Sequence, residues 1–182
     1  MTRYIALLRG INVGGHRVKM ERLRGLFGEL GFCNVATYIQ SGNVFFETDE
    51  SDFDSLTRKI EVHLFEALGY EVPVFLRTPV QLEEALKSKA FQDVEVTADT
   101  RLMVVFTQEE VRFEDALPLC SPRKDIEIVG ATSREIFLVL RLADGRMSDF
   151  SIFLRKALGR KVVTTSRFYD TTFKILEAAQ NH

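Results

Sequence analysis

Displacing the sequence on itself by 90 positions sets Leu64 on Leu154, Ala67 on Ala157, Leu68 on Leu158, Gly69 on Gly159, Val72 on Val162, Arg77 on Arg167 and Leu86 on Leu176. Leucine alone recurs by chance, but Leu-Gly followed three and eight residues later by Val and Arg is a more specific coincidence. A repeat of that length confines the chain to two similar halves, and the order of elements within each decides which kind.

In the first half, Arg3 to Arg9 is a short β-compatible apolar run stopped by Gly10, and Met20, Leu23, Leu26, Phe27 and Leu30 recur at helical spacing up to Gly31. Val35 to Ile39 and Val44 to Phe46 are strand runs separated by Ser41-Gly42-Asn43, which supplies the positive-φ residues of a tight hairpin. Ser51 or Asp52 caps a helix with Phe53, Leu56, Ile60, Leu64 and Leu68 on its apolar face, ended by Gly69. Val72 to Arg77 is a fourth strand, and Pro79 opens a further helix. The second half predicts a strand at Leu102 to Phe106, a short helix at Glu109 to Leu117, strands at Ile126 to Val129 and Ile136 to Leu140, and a helix from Ser148. A short strand at Val162 and Val163 and a last helix from Tyr169 complete it. The expected fold is α+β: a tandem duplication of a ferredoxin-like βαββαβ unit, each copy followed by an extra helix. Residues 1–90 form the first half-domain, 91–99 the connector and 100–182 the second, as separate halves or one globule.

Composition narrows the functional classes. With 182 residues, 46% apolar content and 15 Phe, the chain can bury a true core. Its formal charge of −2 argues against a dedicated nucleic-acid or membrane protein, yet it conceals patches of opposite sign. Arg3 to Arg24 holds six Lys/Arg against Glu21 alone, while Glu47, Asp49, Glu50, Asp52 and Asp54 cluster as acids. The N-terminus lacks the pattern of a signal peptide and no apolar run reaches membrane-spanning length, so a cytoplasmic location is expected. Cys33 and Cys120 stand apart, with no CxxC or nearby His pair, and read as buried structural thiols. No metal or cofactor is implied.

In a βαββαβ unit with strand order 4-1-3-2, the turns at Gly10 to Arg17, Ser41 to Asn43 and Gly69 to Glu71 share one end, and the first two lie side by side. The result is a polar corner containing Arg9, Asn12, Gly14, Gly15, His16, Arg17, Lys19, Gln40, Ser41 and Asn43. Glycines leave amide N–H groups uncovered, the following helix directs its positive end there, and basic side chains add charge-assisted hydrogen bonds. Such a corner suits a phosphate or carboxylate. The competing explanation is turn geometry for Gly10, Gly14 and Gly15 and a solvated helix face for the cations.

Known motifs are mostly excluded. Gly10 and Gly15 have P-loop separation, but His16-Arg17 stands where Lys-Ser/Thr is needed; GxGxxG, GxSxG, HExxH and the EF-hand pattern are absent. Ser41 with His16 lacks an orienting carboxylate, which leaves Ser41 a turn serine. RNA-recognition domains share the element order, and Tyr4 and Phe45 sit where stacking aromatics could, but Asn43 interrupts the third-strand motif, so both read as core.

At "YIALLRGINVGG", "MERLRGLFGELGF" and "VATYIQSGNVFFET" the chain resembles domain-of-unknown-function family 1697, small bacterial proteins, over its whole length. The family also shows a Lys/Arg-x-Ser element before the penultimate helix and a Thr-Arg-Asn-Trp-Asn-Thr run before the last. Arg146 and Ser148 resemble the first. "SRFYDT" keeps Arg167 and Thr171 of the second, with Phe168, Tyr169 and Asp170 where Asn, Trp and Asn are usual. The resemblance implies no reaction. Arg146, Ser148, Arg167 and Thr171 are a second candidate site, against helix capping by Ser148.

The expected function is binding of an anionic small molecule or nucleotide through Arg9, Asn12, Gly14, Gly15, His16, Lys19, Ser41 and Asn43. The alternatives are a metal-independent enzyme on a phosphorylated or carboxylated metabolite, with His16 as acid or base, a nucleic-acid binder, and a self-associating homodimer.

Overall fold

The computed structural model describes residues 1–181. It is a mixed α+β structure with two antiparallel sheets and five helices, divided into two compact units: Met1–Glu84 with Lys174 onward, and Ala85–Phe173. The expected boundaries at 90 and 100 differ from this division in the placement of 85–90 and of the chain from Lys174.

The first unit contains β1 (Thr2–Leu8), α1 (Met20–Glu29), β2 (Cys33–Tyr38), β3 (Asn43–Thr48), α2 (Phe53–Leu68), β4 (Val74–Arg77) and the start of α3 (Pro79–Leu86). Its sheet has the order β2-β3-β1-β4. Alternation along β1 assigns Tyr4, Ala6 and Leu8 to one face, where they pack with Leu23, Leu26 and Phe27 of α1 and Leu56, Ile60 and Leu64 of α2. Tyr4 stacks on Phe46 with ring centroids 5.6 Å apart. Ile5, Leu7, Phe45 and Phe75 face the other way and are also fully buried. Tyr4 and Phe45 are therefore core residues, closed to stacking with bases.

Local chemistry sets the helix ends. Asp52 Oδ1 accepts the Ser55 amide at 2.8 Å, and Gly69, at φ 79°, ends α2 with its amide on the Phe65 carbonyl. Thr78 and Gln81 form a reciprocal capping box around Pro79.

The second unit contains β5 (Thr100–Thr107), β6 (Leu119–Cys120), β7 (Ile126–Ala131), β8 (Glu135–Arg141), α4 (Ser151–Ala157), β9 (Thr164–Phe168) and the start of α5 (Tyr169–Asn181). Its sheet order is β6-β7-β8-β5-β9. The helix expected over Glu109 to Leu117 does not form. Pro118 disfavours helical backbone at Leu117, and the segment is instead tied down by the Val111 amide on the Ser133 carbonyl at 2.7 Å, with Val111, Phe113, Leu117 and Leu119 packed on the core. The last strand begins at Thr164 rather than Val162, because Val162 turns into the core and Val163 is exposed. Cys33 and Cys120 are exposed free thiols, contrary to expectation, because β2 and β6 are outer strands.

At the end of the first sheet where β1 stops, Leu7 pairs with Asn43 and Leu8 with Val74, and the Leu8 amide donates to the Gly42 carbonyl at 2.7 Å. A Cβ on Gly42 would stand 3.0 Å from the Cβ atoms of Leu8 and Ile11, and Gly42 has φ 71°. Gly42→Ala therefore combines left-handed strain with overpacking and is expected to lower stability by roughly 2 kcal/mol or more, read as a fall in the denaturation midpoint.

Candidate functional site

Three connections meet at this end: the β1–α1 loop, the β2–β3 turn and the α2–β4 turn. The Arg9 amide donates to the Pro73 carbonyl at 3.0 Å, holding the first to the third. Asn12, at φ 58°, holds the first to the second. Its Nδ2 donates to the carbonyls of Gln40 (2.9 Å) and Val18 (3.2 Å), and its Oδ1 accepts the Val18 amide at 2.8 Å. The two turns expected side by side are thus bridged by one side chain.

That chemistry removes Asn12 from the set of ligand donors, because its amide is spent on the protein's own backbone. Asn43 is fully buried, and its Nδ2 donates to the Tyr38 carbonyl at 3.1 Å and to Ser41 Oγ at 2.9 Å. Asn12, Ser41 and Asn43 are framework. Val13-Gly14-Gly15-His16 is a β-turn closed by the His16 amide on the Val13 carbonyl at 3.1 Å. Both central residues have positive φ, 60° and 94°, while a Cβ on either would meet nothing within 4 Å. Gly14 and Gly15 are required for backbone conformation rather than space.

The cations divide sharply. Arg3 donates to Glu47 at 2.7 Å, Arg22 pairs with Glu29 at 2.8 Å, and Arg24 donates to Thr37 Oγ1 at 2.8 Å. Arg9, Arg17 and Lys19 are exposed, and none of their side chains makes a hydrogen bond or ion pair among the described residues. Lys19 occupies the N-cap position of α1 with no side-chain cap. The His16 ring is exposed and stacks on Tyr70, centroids 3.8 Å apart and planes at 26°. The Tyr70 hydroxyl is buried without a hydrogen-bond partner, and this burial pushes its pKa up. Tyr70 was missing from the sequence-derived set, although its turn, Gly69 to Glu71, was expected at this end.

The second candidate set is not assembled. Ser148 Oγ donates to Asp125, so it does not cap α4; Asp149 Oδ1 accepts the Ser151 amide instead, at 2.8 Å. Arg146 is exposed in a bridge with Ala143. Arg167 pairs across β9 with Val104, on the opposite face from the Met103 and Val105 side chains that α4 packs with. There Arg167 donates to Thr165 Oγ1 at 3.0 Å and to the Ser166 carbonyl, and burial lowers its pKa to about 10. Thr171 lies in the first turn of α5. Asp125 also accepts from Ser121 Oγ at 2.6 Å, and hydrogen bonds from Ser121 and then Ser148 hold its carboxyl below its ordinary pKa. A depressed folded-state pKa stabilises the fold above the unfolded value and loses that contribution as pH falls through the folded one. Ser148→Ala is therefore expected to raise the Asp125 pKa and shift the onset of acid unfolding to higher pH, read by NMR titration of the Asp125 carboxyl carbon and by denaturation between about pH 2 and 5.

Among the described residues no group of three or more His, Cys, Asp or Glu could hold a metal ion, and no helix is long and apolar enough to cross a membrane. The chain is similar over 98% of its length to a conserved bacterial protein, SP0830, of Streptococcus pneumoniae, of which 98% is covered, with a TM-score of 0.67 and 23% sequence identity. That likeness establishes a shared fold. Comparison with curated proteins gives no match. Residues 1–137, which include the whole corner described above, match the model of a family described as protein of unknown function (DUF1697), and the chain belongs to that family.

Proposed function

We propose that the chain binds an anionic small molecule, carrying phosphate or carboxylate, at the corner formed by Arg9, Arg17 and Lys19, beside the stacked His16–Tyr70 pair. The observation that carries this reading is the division of the cations. Arg3, Arg22 and Arg24 are engaged by Glu47, Glu29 and Thr37, whereas the three nearest the glycine turn have no partner among the described residues. Charge-assisted hydrogen bonds from such groups are among the stronger polar interactions available to a bound anion. Asn12, Ser41 and Asn43 support the corner without touching the ligand.

The same reading extends to the origin of the fold. Both sheets contain a four-strand order of one kind, β2-β3-β1-β4 and β7-β8-β5-β9, and the edge strands β4 and β9 end on the matched residues Arg77 and Arg167 or one beyond. Gly69 and Gly159 both follow helices at positive φ, 79° and 66°. These features favour duplication of one ferredoxin-like unit, with the first helix of the second copy replaced by the tied segment before β6.

Inorganic pyrophosphate titrated into the protein and followed by amide NMR shifts is the direct test. Binding is expected to perturb the Gly10 to Lys19 amides, and the Arg17→Ala/Lys19→Ala double variant is expected to lose at least tenfold in affinity while its Tm stays within a few degrees of the parent. Unchanged affinity in that variant would defeat the proposal. Asn12→Ala should behave in the opposite sense, with a loss of about 1–3 kcal/mol in stability from unsatisfied backbone groups, measured by urea denaturation.

A further inference from the structure

An anion alone would not use the stacked pair His16 and Tyr70. His16 is fixed from below by the Val13 to His16 turn, whose two central glycines both have positive φ, and its ring is held 3.8 Å from the Tyr70 ring by a turn more than fifty residues away. One face of the imidazole is therefore covered. The residue as a whole is exposed, so its other face meets solvent, and among the described residues no second ring contacts it. A flat ring, braced on one side and open on the other, is the platform on which a heteroaromatic base stacks.

The neighbours of that platform match the rest of a nucleotide. Arg17 follows His16 directly and Lys19 stands three residues after it, and Arg9 lies at the start of the same loop, tied through its amide to Pro73 in the segment that carries Tyr70. All three are unpartnered among the described residues. Val13, 58% exposed, adds apolar surface at the turn. We infer that the corner takes a nucleotide: the phosphate lies on Arg9, Arg17 and Lys19, and the base stacks on the solvent face of His16 with Tyr70 as the layer beneath. This rests on the anion-binding reading above and goes further in assigning the uncharged part of the ligand. Stacking alone does not distinguish one base from another, because every base has a π-face.

The probes are AMP, ribose 5-phosphate and inorganic pyrophosphate, titrated separately into the full chain and followed by proton NMR. AMP is expected to bind about tenfold more tightly than ribose 5-phosphate, with its H2 and H8 resonances moved upfield by the rings beneath. His16→Ala is expected to abolish the difference between AMP and ribose 5-phosphate and to leave pyrophosphate affinity within about twofold. His16→Phe, which keeps an aromatic face, is expected to retain the AMP preference. Equal binding of AMP and ribose 5-phosphate by the parent protein would overturn the base platform while the anion site stood. Failure of all three probes to bind would overturn both. An AMP preference that survives His16→Ala would place the base elsewhere and also overturn the inference.

Discussion

The side-chain amide of Asn12 offers donors on nitrogen and an acceptor on oxygen, and the first unit uses both. The donors reach the backbone of two segments far apart in the sequence; the acceptor takes the Val18 amide and closes the loop on itself. Without that bridge, the eleven-residue loop 9–19 would be held by its two ends and by the Arg9 amide on the Pro73 carbonyl. Glycine gives such a loop conformational freedom that must be lost on folding. Asn12 and the Leu8–Gly42 hydrogen bond together convert it into an extension of the sheet. The positions of the cations and of the His16–Tyr70 pair depend on that conversion.

Much of this was legible in the residues themselves. Ser41-Gly42-Asn43 between two apolar runs announced a hairpin, the α2 periodicity and its glycine stop set a helix, and topology then placed the three turns at one end. Side-chain roles were less accessible. Asn12 and Asn43 are donors by type, and only the positions of Gln40, Val18, Tyr38 and Ser41 show that those donors are spent. The second half misled for a different reason. Glu109 to Leu117 has only a weak helical signal, since Val111 and Phe113 stand two residues apart; Pro118 and the Val111–Ser133 bond favour an irregular segment, and tertiary packing outweighs a weak local propensity. Ser148 looked like a helix cap because serine commonly is one; Asp125, twenty-three residues earlier, takes its hydroxyl instead.

The second unit also shows how a comparable corner is closed. Where β5 ends, the Thr107 amide donates to the Arg134 carbonyl of the β7–β8 turn at 3.0 Å, much as Leu8 meets Gly42 in the first unit. One cation there, Arg160, pairs with Glu109 and donates to the Glu110 carbonyl at 3.0 Å. Its charge and its hydrogen-bonding capacity are both engaged. Among the described residues Arg9, Arg17 and Lys19 have no such acid.

Acids at and after the end of β3 are engaged at their own end of the sheet. Asp49 pairs with the Met1 ammonium at 2.9 Å, Glu47 with Arg3, Glu50 with Lys59, and Asp52 with the first turn of α2. Glu47 is held below its ordinary pKa by hydrogen bonds from Asn34 and then Arg3. These groups lie at the Thr48 end of β3, whereas the corner lies at the Asn43 end. A six-residue strand separates them by roughly 17–20 Å, about twice the Debye length at physiological ionic strength. At that distance salt screens the acidic cluster from the corner, and three of its acids are paired with Met1, Arg3 and Lys59. Along one strand, then, the chain sets paired acids at one end and the glycine turn with its exposed cations at the other.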